Sequence, residues 1–580
     1  MRPVSHKEYE LHIKSFYGGS ICQANGARFM PGKEVFRCST ETLDYVMLPA
    51  MRAVVTIAAC APRQPTEAPA YAGVKGRDTT MSNRAIRGLV VCLLALIGLF
   101  TYEISCLLPK ANAIPAFARK YGVPCSVCHV PGFPKLNDFG NTFRDQGYQF
   151  GADVDLPTHE NITMGYWPVS FRTTVGYQVA NARTDGQAIA TSGLGFTGLD
   201  ILSFGILHRS IAFGLVYTPG LKEAGFGTGS SLTDNNLESA FVRLMNLERL
   251  LGGADNTYWL NMRVGKYELD VPFSEKRSPT LNTPFVMYHY VAGSPYSTVL
   301  AGLPTAGYNN ASVFGLGDNQ PGAELSGIIK TAATDGYLRY SLNMLTTNGG
   351  SFSNDSGGFG RSAYFYGHVT QSFGGYGIVT GQRIGAFVVA GTAPTQCPSS
   401  TGGGTTIGTN CTLAAPGVPG TATQGEPFTR VGAEASLTYD GQWNLFGAFV
   451  HAVDSSNLIS SQAGGLNAAG LPNFQNAAWN GGFVELDWYP TQLPFVKSPG
   501  WLLSYRYDLI RNERQGDPTF AKTYNDVDSH TFMARYYIHQ STRTDLALHT
   551  EYNWYKDKGV GANGGNLYGQ TTLVGFDFAY

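Results

Sequence analysis

From about Tyr166 to the last residue, apolar side chains recur at every second position in one segment after another. Val169, Phe171, Thr173, Val175, Tyr177 and Val179 make the first such series, and Ile211, Phe213, Leu215 and Tyr217 make the third. A period of two is the repeat of an extended strand, whose side chains point alternately to opposite faces. Sixteen candidate strands begin near positions 166, 195, 210, 236, 257, 322, 336, 362, 374, 427, 441, 478, 500, 528, 543 and 570. Positions 166 to 580 hold 415 residues (580 − 166 + 1), or about 26 per strand and connection. That suits strands of roughly 10 residues with short turns on one side and longer loops on the other. The last series, Val574, Phe576, Phe578 and Tyr580, alternates up to the final position. No soluble fold readily takes sixteen sequential strands without covering helices. A closed barrel in lipid, by contrast, demands an apolar outer face and a polar inner one on every strand. The expected fold class is an all-β membrane protein, an antiparallel transmembrane β-barrel of about sixteen strands, with both of its ends on the periplasmic side.

Composition agrees. Charged residues make up 14% of the chain, against roughly 25% in soluble domains. Gly numbers 71, Tyr 32 and Phe 33, as aromatic-rich strands and tight turns require. The net charge of −1 leaves no basic footprint for nucleic acid.

Ahead of the barrel the chain changes character twice. Residues 1–80 show no sustained period and are expected to be either a spurious upstream extension or a disordered leader. Residues 81–113 have the layout of a signal peptide: Arg84 and Arg87, an apolar run of 13 residues from Gly88 to Phe100, then Ala111-Asn112-Ala113. That run is short of the roughly 20 residues a membrane-spanning helix needs. Export is the expected outcome, with a short segment over 114–160 preceding the barrel at 166–580.

The sharpest chemical signal lies in that short segment, where Cys125-Ser126-Val127-Cys128-His129 has the spacing for covalent haem attachment. Two thiols three positions apart can add to the two vinyl groups on one porphyrin edge. The adjacent imidazole then lies under the ring, where it can ligate the iron. With 9 Cys and 11 His in 580 residues, one such unit would arise by accident with a chance of roughly 0.003. A thioredoxin-like dithiol needs a βαβ setting that is not visible here, and a structural zinc needs a second ligand pair. The expected cofactor is therefore one covalently bound haem c, tethered by Cys125 and Cys128, with His129 as proximal ligand. Met164 and His159 are the candidates for the opposite iron ligand.

Around the motif, Pro134 is expected at the first position of a helix. Leu136, Phe139 and Phe143 form one apolar face of that helix, and Gly147 ends it. The face could cover a porphyrin or pack on the barrel wall. Arg119, Lys120, Lys135 and Arg144 are candidate partners for haem propionates, the bland alternative being a solvated charged surface.

Pro115-Ala116-Phe117-Ala118-Arg119, Gly122, Cys125, Cys128-His129, Phe133-Pro134, Leu136, Phe139-Gly140, Phe143 and Gly147-Tyr148 together resemble the amino-terminal cytochrome segment of the fused outer-membrane monohaem c-type cytochrome–porins. The best-known members are the iron-oxidising outer-membrane cytochromes of iron-oxidising bacteria. The close match runs from Pro115 to Tyr148; beyond it the likeness is one of layout. The resemblance implies an Fe(II):cytochrome c oxidoreductase, with extracellular Fe(II) as donor and a periplasmic c-type cytochrome as acceptor.

Two interruptions of the strand pattern stand out. Residues 271–320, with Glu275, Lys276, Arg277, Tyr288, His289 and Tyr290, read either as a loop folded into the lumen or as a long external loop. Residues 391–426 read as an extracellular loop, in which Cys397 and Cys411 are expected to form a disulfide or else remain two free thiols. Neither interruption carries a catalytic constellation. Since a barrel wall about 25 Å tall is insulating, one haem could serve electron transfer across it only from within the lumen. The competing functions are a solute-conducting porin whose haem segment is a plug, sensor or docking module, and electron export to an external acceptor.

Overall fold

The computed structural model describes residues 117, 120–121, 127–129, 134–149, 168–208, 210–218, 237–253, 257–296, 303–310, 312, 314–346, 363–374, 382–395, 424–461, 474–490, 500–540 and 545–580. The expected leader, the signal peptide, Cys125, His159, Met164, Cys397 and Cys411 lie outside them. Among the described residues a short helix, α1 (Asp138–Asp145), precedes the strands. Then follow β1 (Val169–Thr184), β2 (Gln187–His208), β3 (Ile211–Tyr217), β4 (Leu237–Leu244) and β5 (Asn261–Glu268). After a long insert holding α2 (Val286–His289) and β6 (Tyr308–Asn310) come β7 (Asn319–Thr331), β8 (Gly336–Leu345), β9 (Tyr364–Phe373), β10 (Gln382–Thr395), β11 (Gln424–Tyr439) and β12 (Trp443–Asp454). The chain ends with β13 (Ile459–Ser461), β14 (Ala477–Trp488), β15 (Trp501–Arg514), β16 (Val527–Gln540), β17 (Asp545–Asp557) and β18 (Leu567–Ala579).

Sixteen of these strands form one closed antiparallel barrel in sequence order. β6 and β13 pair separately as a two-stranded sheet. β1 closes on β18, with Val175 opposite Phe576 and Tyr177 opposite Val574. At the seam, Phe171 and Tyr580 exchange backbone hydrogen bonds of 2.7 and 2.8 Å. Both barrel ends therefore share one rim, as an even strand count requires. The expected strand count holds. The two largest shifts in position are in β10, which starts at Gln382 rather than near 374, and in β2, which starts at Gln187 rather than near 195, directly after a turn in which Asp185 (φ 49°) and Gly186 (φ 78°) both occupy the left-handed region. An Asp-Gly pair adopts the two-residue hairpin turn that follows strand twist, so β1 and β2 fold as one continuous hairpin.

Side chains alternate across the wall. Along β14, Phe483, Glu485 and Asp487 are buried inside, while Val484 and Leu486 are exposed outside at 53% and 38%. Ile384, Val431, Phe449, Phe532 and Phe576 continue the exposed apolar face around the barrel. At the rim that carries the barrel ends, Trp443 stacks on Trp488 (centroids 5.2 Å apart) and Trp501 lies against Tyr536 (4.8 Å). An apolar outer band with aromatic residues at its edge is the surface of a barrel solvated by lipid. The chain is accordingly a bacterial outer-membrane β-barrel. By alternation of strand direction, β10 ends and β11 begins at the rim opposite the barrel ends.

The two readings of the long insert are resolved. The described part of the insert folds into the lumen, where Phe285, Val286, Met287, Tyr288 and Tyr290 join one hydrophobic core with the inward faces of Phe446, Trp479 and Phe483. Phe285 stacks on Phe483 at 4.1 Å and Tyr290 packs edge-on against Trp479 at 4.8 Å. Polar ties fix the insert to the far wall. Arg506 Nη2 donates to the carbonyls of Thr283 and Pro284 (2.8 and 2.9 Å), and Glu551 Oε2 accepts from the amide of Leu281 (2.7 Å). The insert thus brings an apolar cluster into the lumen beside inward polar groups such as Arg506, Glu485 and Glu551.

Candidate functional site

Asn137 organises the segment around the Cys-x-x-Cys-His motif. Its Oδ1 accepts from the Gly140 amide at 2.8 Å, capping α1. Its own amide donates to the Cys128 carbonyl at 3.0 Å, and its side-chain Nδ2 donates to the Val127 carbonyl at 3.0 Å. One residue therefore clamps the motif turn onto the start of the helix, and His129 completes the clamp by a backbone bridge to Leu136. Gly140 is required by this approach, because a Cβ there would lie 2.1 Å from the Cys128 carbonyl oxygen. The expectation that Pro134 opens the helix is corrected: Asn137 supplies the capping oxygen, so α1 begins only at Asp138 and Pro134 lies buried upstream.

The helix stops where a glycine can turn it. Gly147 (φ 77°) and Tyr148 (φ 66°) are both left-handed, and the Tyr148 amide donates to the Phe143 carbonyl at 2.9 Å. This turn places the Tyr148 ring parallel to Phe117 at 5.3 Å and against Phe204 of β2 at 5.2 Å. Phe143 meets Phe117 edge-on at 5.1 Å. The predicted apolar face is split. Leu136 and Phe143 line the cavity described below, while Phe139 is 43% exposed and faces a second recess.

Lys135 and Arg144 bind the barrel. Lys135 Nζ reaches Asn444 Oδ1 at 2.7 Å and Asp487 Oδ2 at 2.5 Å. Arg144 pairs with Asp270 at 3.2 Å, and Arg339 of β8 pairs with Asp145 at 2.5 Å and with Asp270 at 3.3 Å. Arg243 of β4 donates to the Arg144 carbonyl at 3.1 Å. These two residues, read as propionate partners or solvated charges, are paired with carboxylates, Lys135 with Asp487 and Arg144 with Asp145 and Asp270. Lys120 lies over the ring of Tyr121 at 4.8 Å, and Arg119 lies outside the described residues.

Between this segment and the wall lies a cavity of about 450 Å³. Cys128, His129, Leu136 and Phe143 form one side, and Phe171, Phe204, Phe241, Arg243 and Arg263 belong to the other. Burial pulls the His129 imidazole down to about 4, against an upward pull from hydrogen bonding to the backbone of Pro134 and Lys135. A neutral imidazole is the state that metal ligation needs. Burial pushes the Cys128 thiol up to about 11, the opposite of the easily ionised thiol of a redox-active dithiol. Among the described residues, no group of three or more His, Cys, Asp or Glu is arranged around a metal position. The buried imidazole and the apolar Leu136, Phe143, Phe204 and Phe241 that line the cavity suit a porphyrin. Cys125 and Cys128 would tether it and His129 would take the iron. Among the described lining residues His129 is the sole imidazole, and no thioether joins it.

Sequence reasoning did not single out Arg243, Arg263, Glu324, Arg339 or Asp270. The available signal was alternation: Ser239, Phe241 and Arg243 in β4 are the buried, inward positions. No protein-family model and no curated protein matches this chain. Solved structures similar to it include Pseudomonas putida OprB (10% identity, TM-score 0.42, 73% of this chain and 96% of that one). Others are an anion-selective porin from Comamonas acidovorans (14%, 0.37, 71% and 99%) and the outer membrane channel DcaP of Acinetobacter baumannii (10%, 0.34, 70% and 97%).

Proposed function

We propose that this outer-membrane barrel transfers electrons through one haem c held in its lumen, as in the fused cytochrome–porins that the Pro115–Tyr148 segment resembles. The single observation that carries this reading is the shared cavity: Cys128 and His129 on one side, barrel strands on the other, inside a closed wall. Ferrous iron is the donor this reading assigns, losing one electron to become ferric, and a periplasmic c-type cytochrome takes up that electron. Bound in the cavity, the haem would supply one-electron, outer-sphere exchange with no bond made or broken. The chain's own residues do the rest. Asn137 holds the motif turn, Lys135 and Arg144 fix it across the lumen, and Phe117, Phe143 and Tyr148 keep water from that side.

A solute-conducting porin is the second reading, favoured by the strand number, since barrels of sixteen strands can enclose an aqueous channel. The packing of Phe285, Met287, Tyr288 and Tyr290 inside the barrel weighs against it. Anaerobic addition of ferrous iron to the purified protein, with the haem spectrum recorded, tests the proposal. Growth of the reduced bands is expected. A haem reduced by dithionite but untouched by ferrous iron would remove iron as donor, and large steady conductance in planar bilayers would favour the porin.

A further inference from the structure

We infer that Arg243 and Arg263 form a seat for a carboxylate in the lumen cavity, and that its occupant is a propionate of the porphyrin tethered at the Cys-x-x-Cys-His motif. This rests on the haem reading above. Both guanidiniums are buried, and both line the cavity that His129 and Cys128 border. Their shared counter-ion is Glu324 of β7, itself buried. Glu324 Oε1 is taken by the Ser341 hydroxyl at 2.7 Å. That leaves Oε2 to face Arg263 Nε at 2.7 Å and Arg243 Nη2 at 3.5 Å. Two cations thus meet one carboxylate oxygen. Arg263 has further support from the Glu268 carbonyl at 3.2 Å and the Tyr267 ring at 3.9 Å. Arg243 spends Nη1 on the Arg144 carbonyl, and its buried Nε finds no hydrogen-bond partner among the described residues.

Of the other cavity cations, all but Arg172 are better matched. Arg144 and Arg339 face Asp145 and Asp270, Lys276 faces Glu238 at 2.8 Å, and Arg277 faces Glu268 at 2.8 Å. Arg172 reaches Asp577, which it shares with Arg535 outside the cavity. A buried guanidinium with half a counter-ion and an unused N–H is costly unless an anion completes it. A carboxylate accepts from a planar guanidinium through two oxygens, and Arg243 and Arg263 stand together to receive it.

The test uses the full-length protein in detergent, with covalent haem checked by peroxidase staining of denatured gels and the midpoint potential read by spectroelectrochemistry. R243Q and R263Q are each expected to lower the potential, because a lost cation no longer disfavours the more positive oxidised iron. R243K and R263K, which keep the charge but lose the fork, are expected to give a smaller shift in the same direction. Should the glutamine variants fail to assemble, the lysine pair carries the test, and no shift in them overturns the seat. Haem-loaded glutamine variants with the wild-type potential overturn it as well. Acetate titration of wild-type protein separates the two sources of carboxylate. A filled seat gives no response, whereas an acetate-dependent potential means that a solute carboxylate occupies it and the propionate assignment is wrong. A wild-type protein without haem stain defeats the underlying reading and is recognised as such.

Discussion

Lys135 Nζ stands 2.5 Å from Asp487 Oδ2, joining the turn after the Cys-x-x-Cys-His motif to β14. Arg144, nine positions later, is held by Arg243 of β4 and by Asp270. In the barrel order β14 lies eight strands round from β4, half the circumference, so the segment reaches from one wall to its opposite. Asp487 is fully buried, and removing its cation leaves that charge stranded. Lys135→Ala is expected to cost about 3 kcal/mol of docking, read as faster amide hydrogen exchange over residues 134–149. Adding Asp487→Asn is expected to recover part of that loss, since no charge then remains unpaired.

Gly147 fits against Met245 with no room for a side chain: a Cβ there would lie 1.8 Å from Met245 Sδ. Its φ of 77° adds a second objection to any L-residue. Gly147→Ala is expected to destabilise the docked segment by about 1–2 kcal/mol from the backbone alone, with the clash in addition. Met245→Ala in the same chain is expected to relieve only the clash, as a thermal unfolding comparison of the single and double variants checks.

Acid is expected to leave the docking intact well below the ordinary carboxylate range. Burial by itself would raise Asp145 and Asp270, but Arg339 and Arg144 overcome it and hold both below the usual value. A carboxylate depressed in the folded state stabilises it at pH above the unfolded value of about 3.9. That contribution is lost only as pH falls through the depressed native value. At about pH 3, pepsin is therefore expected to spare residues 134–149 in the wild-type protein. Asp270→Asn, which mimics the protonated group, is expected to be cut there sooner.

The insert at 269–318 supplies the expectation that separates electron transfer from solute flow. Phe285, Met287 and Tyr290 pack against inward aromatic residues of the wall, so this insert occupies part of the space through which a solute would pass. The intact protein is expected to show no large steady conductance in planar bilayers. Replacing residues 279–316 by a short glycine-rich turn is expected to open one.

The barrel was legible because its signal is periodic: exposed Val574 and Phe576 alternate with buried Leu573, Gly575 and Asp577 in sequence as in space. The start of β2 was displaced because the Asp185-Gly186 pair, a strong hairpin signal that sets it at Gln187, was not used. Lys135 and Arg144 were legible as important cations. Their partners were not, since Asp487 lies 352 positions from Lys135 and no local pattern encodes a meeting across a lumen. The direction of the insert was ambiguous for the same reason. Tyr288 and Tyr290 suit an exposed loop as well as a buried one until the inward apolar positions Phe446, Trp479 and Phe483 are seen facing them.

The central claim is that a porphyrin is bonded to the two thiols flanking Ser126-Val127. Intact-mass measurement of the purified chain addresses it directly. The account predicts a mass increased by one haem in the wild-type protein, with the bonded group mapping to the peptide that holds Cys125 and Cys128 and lost from the double alanine variant. An unmodified chain from cells competent in haem attachment, with both thiols free or joined to each other, would contradict it.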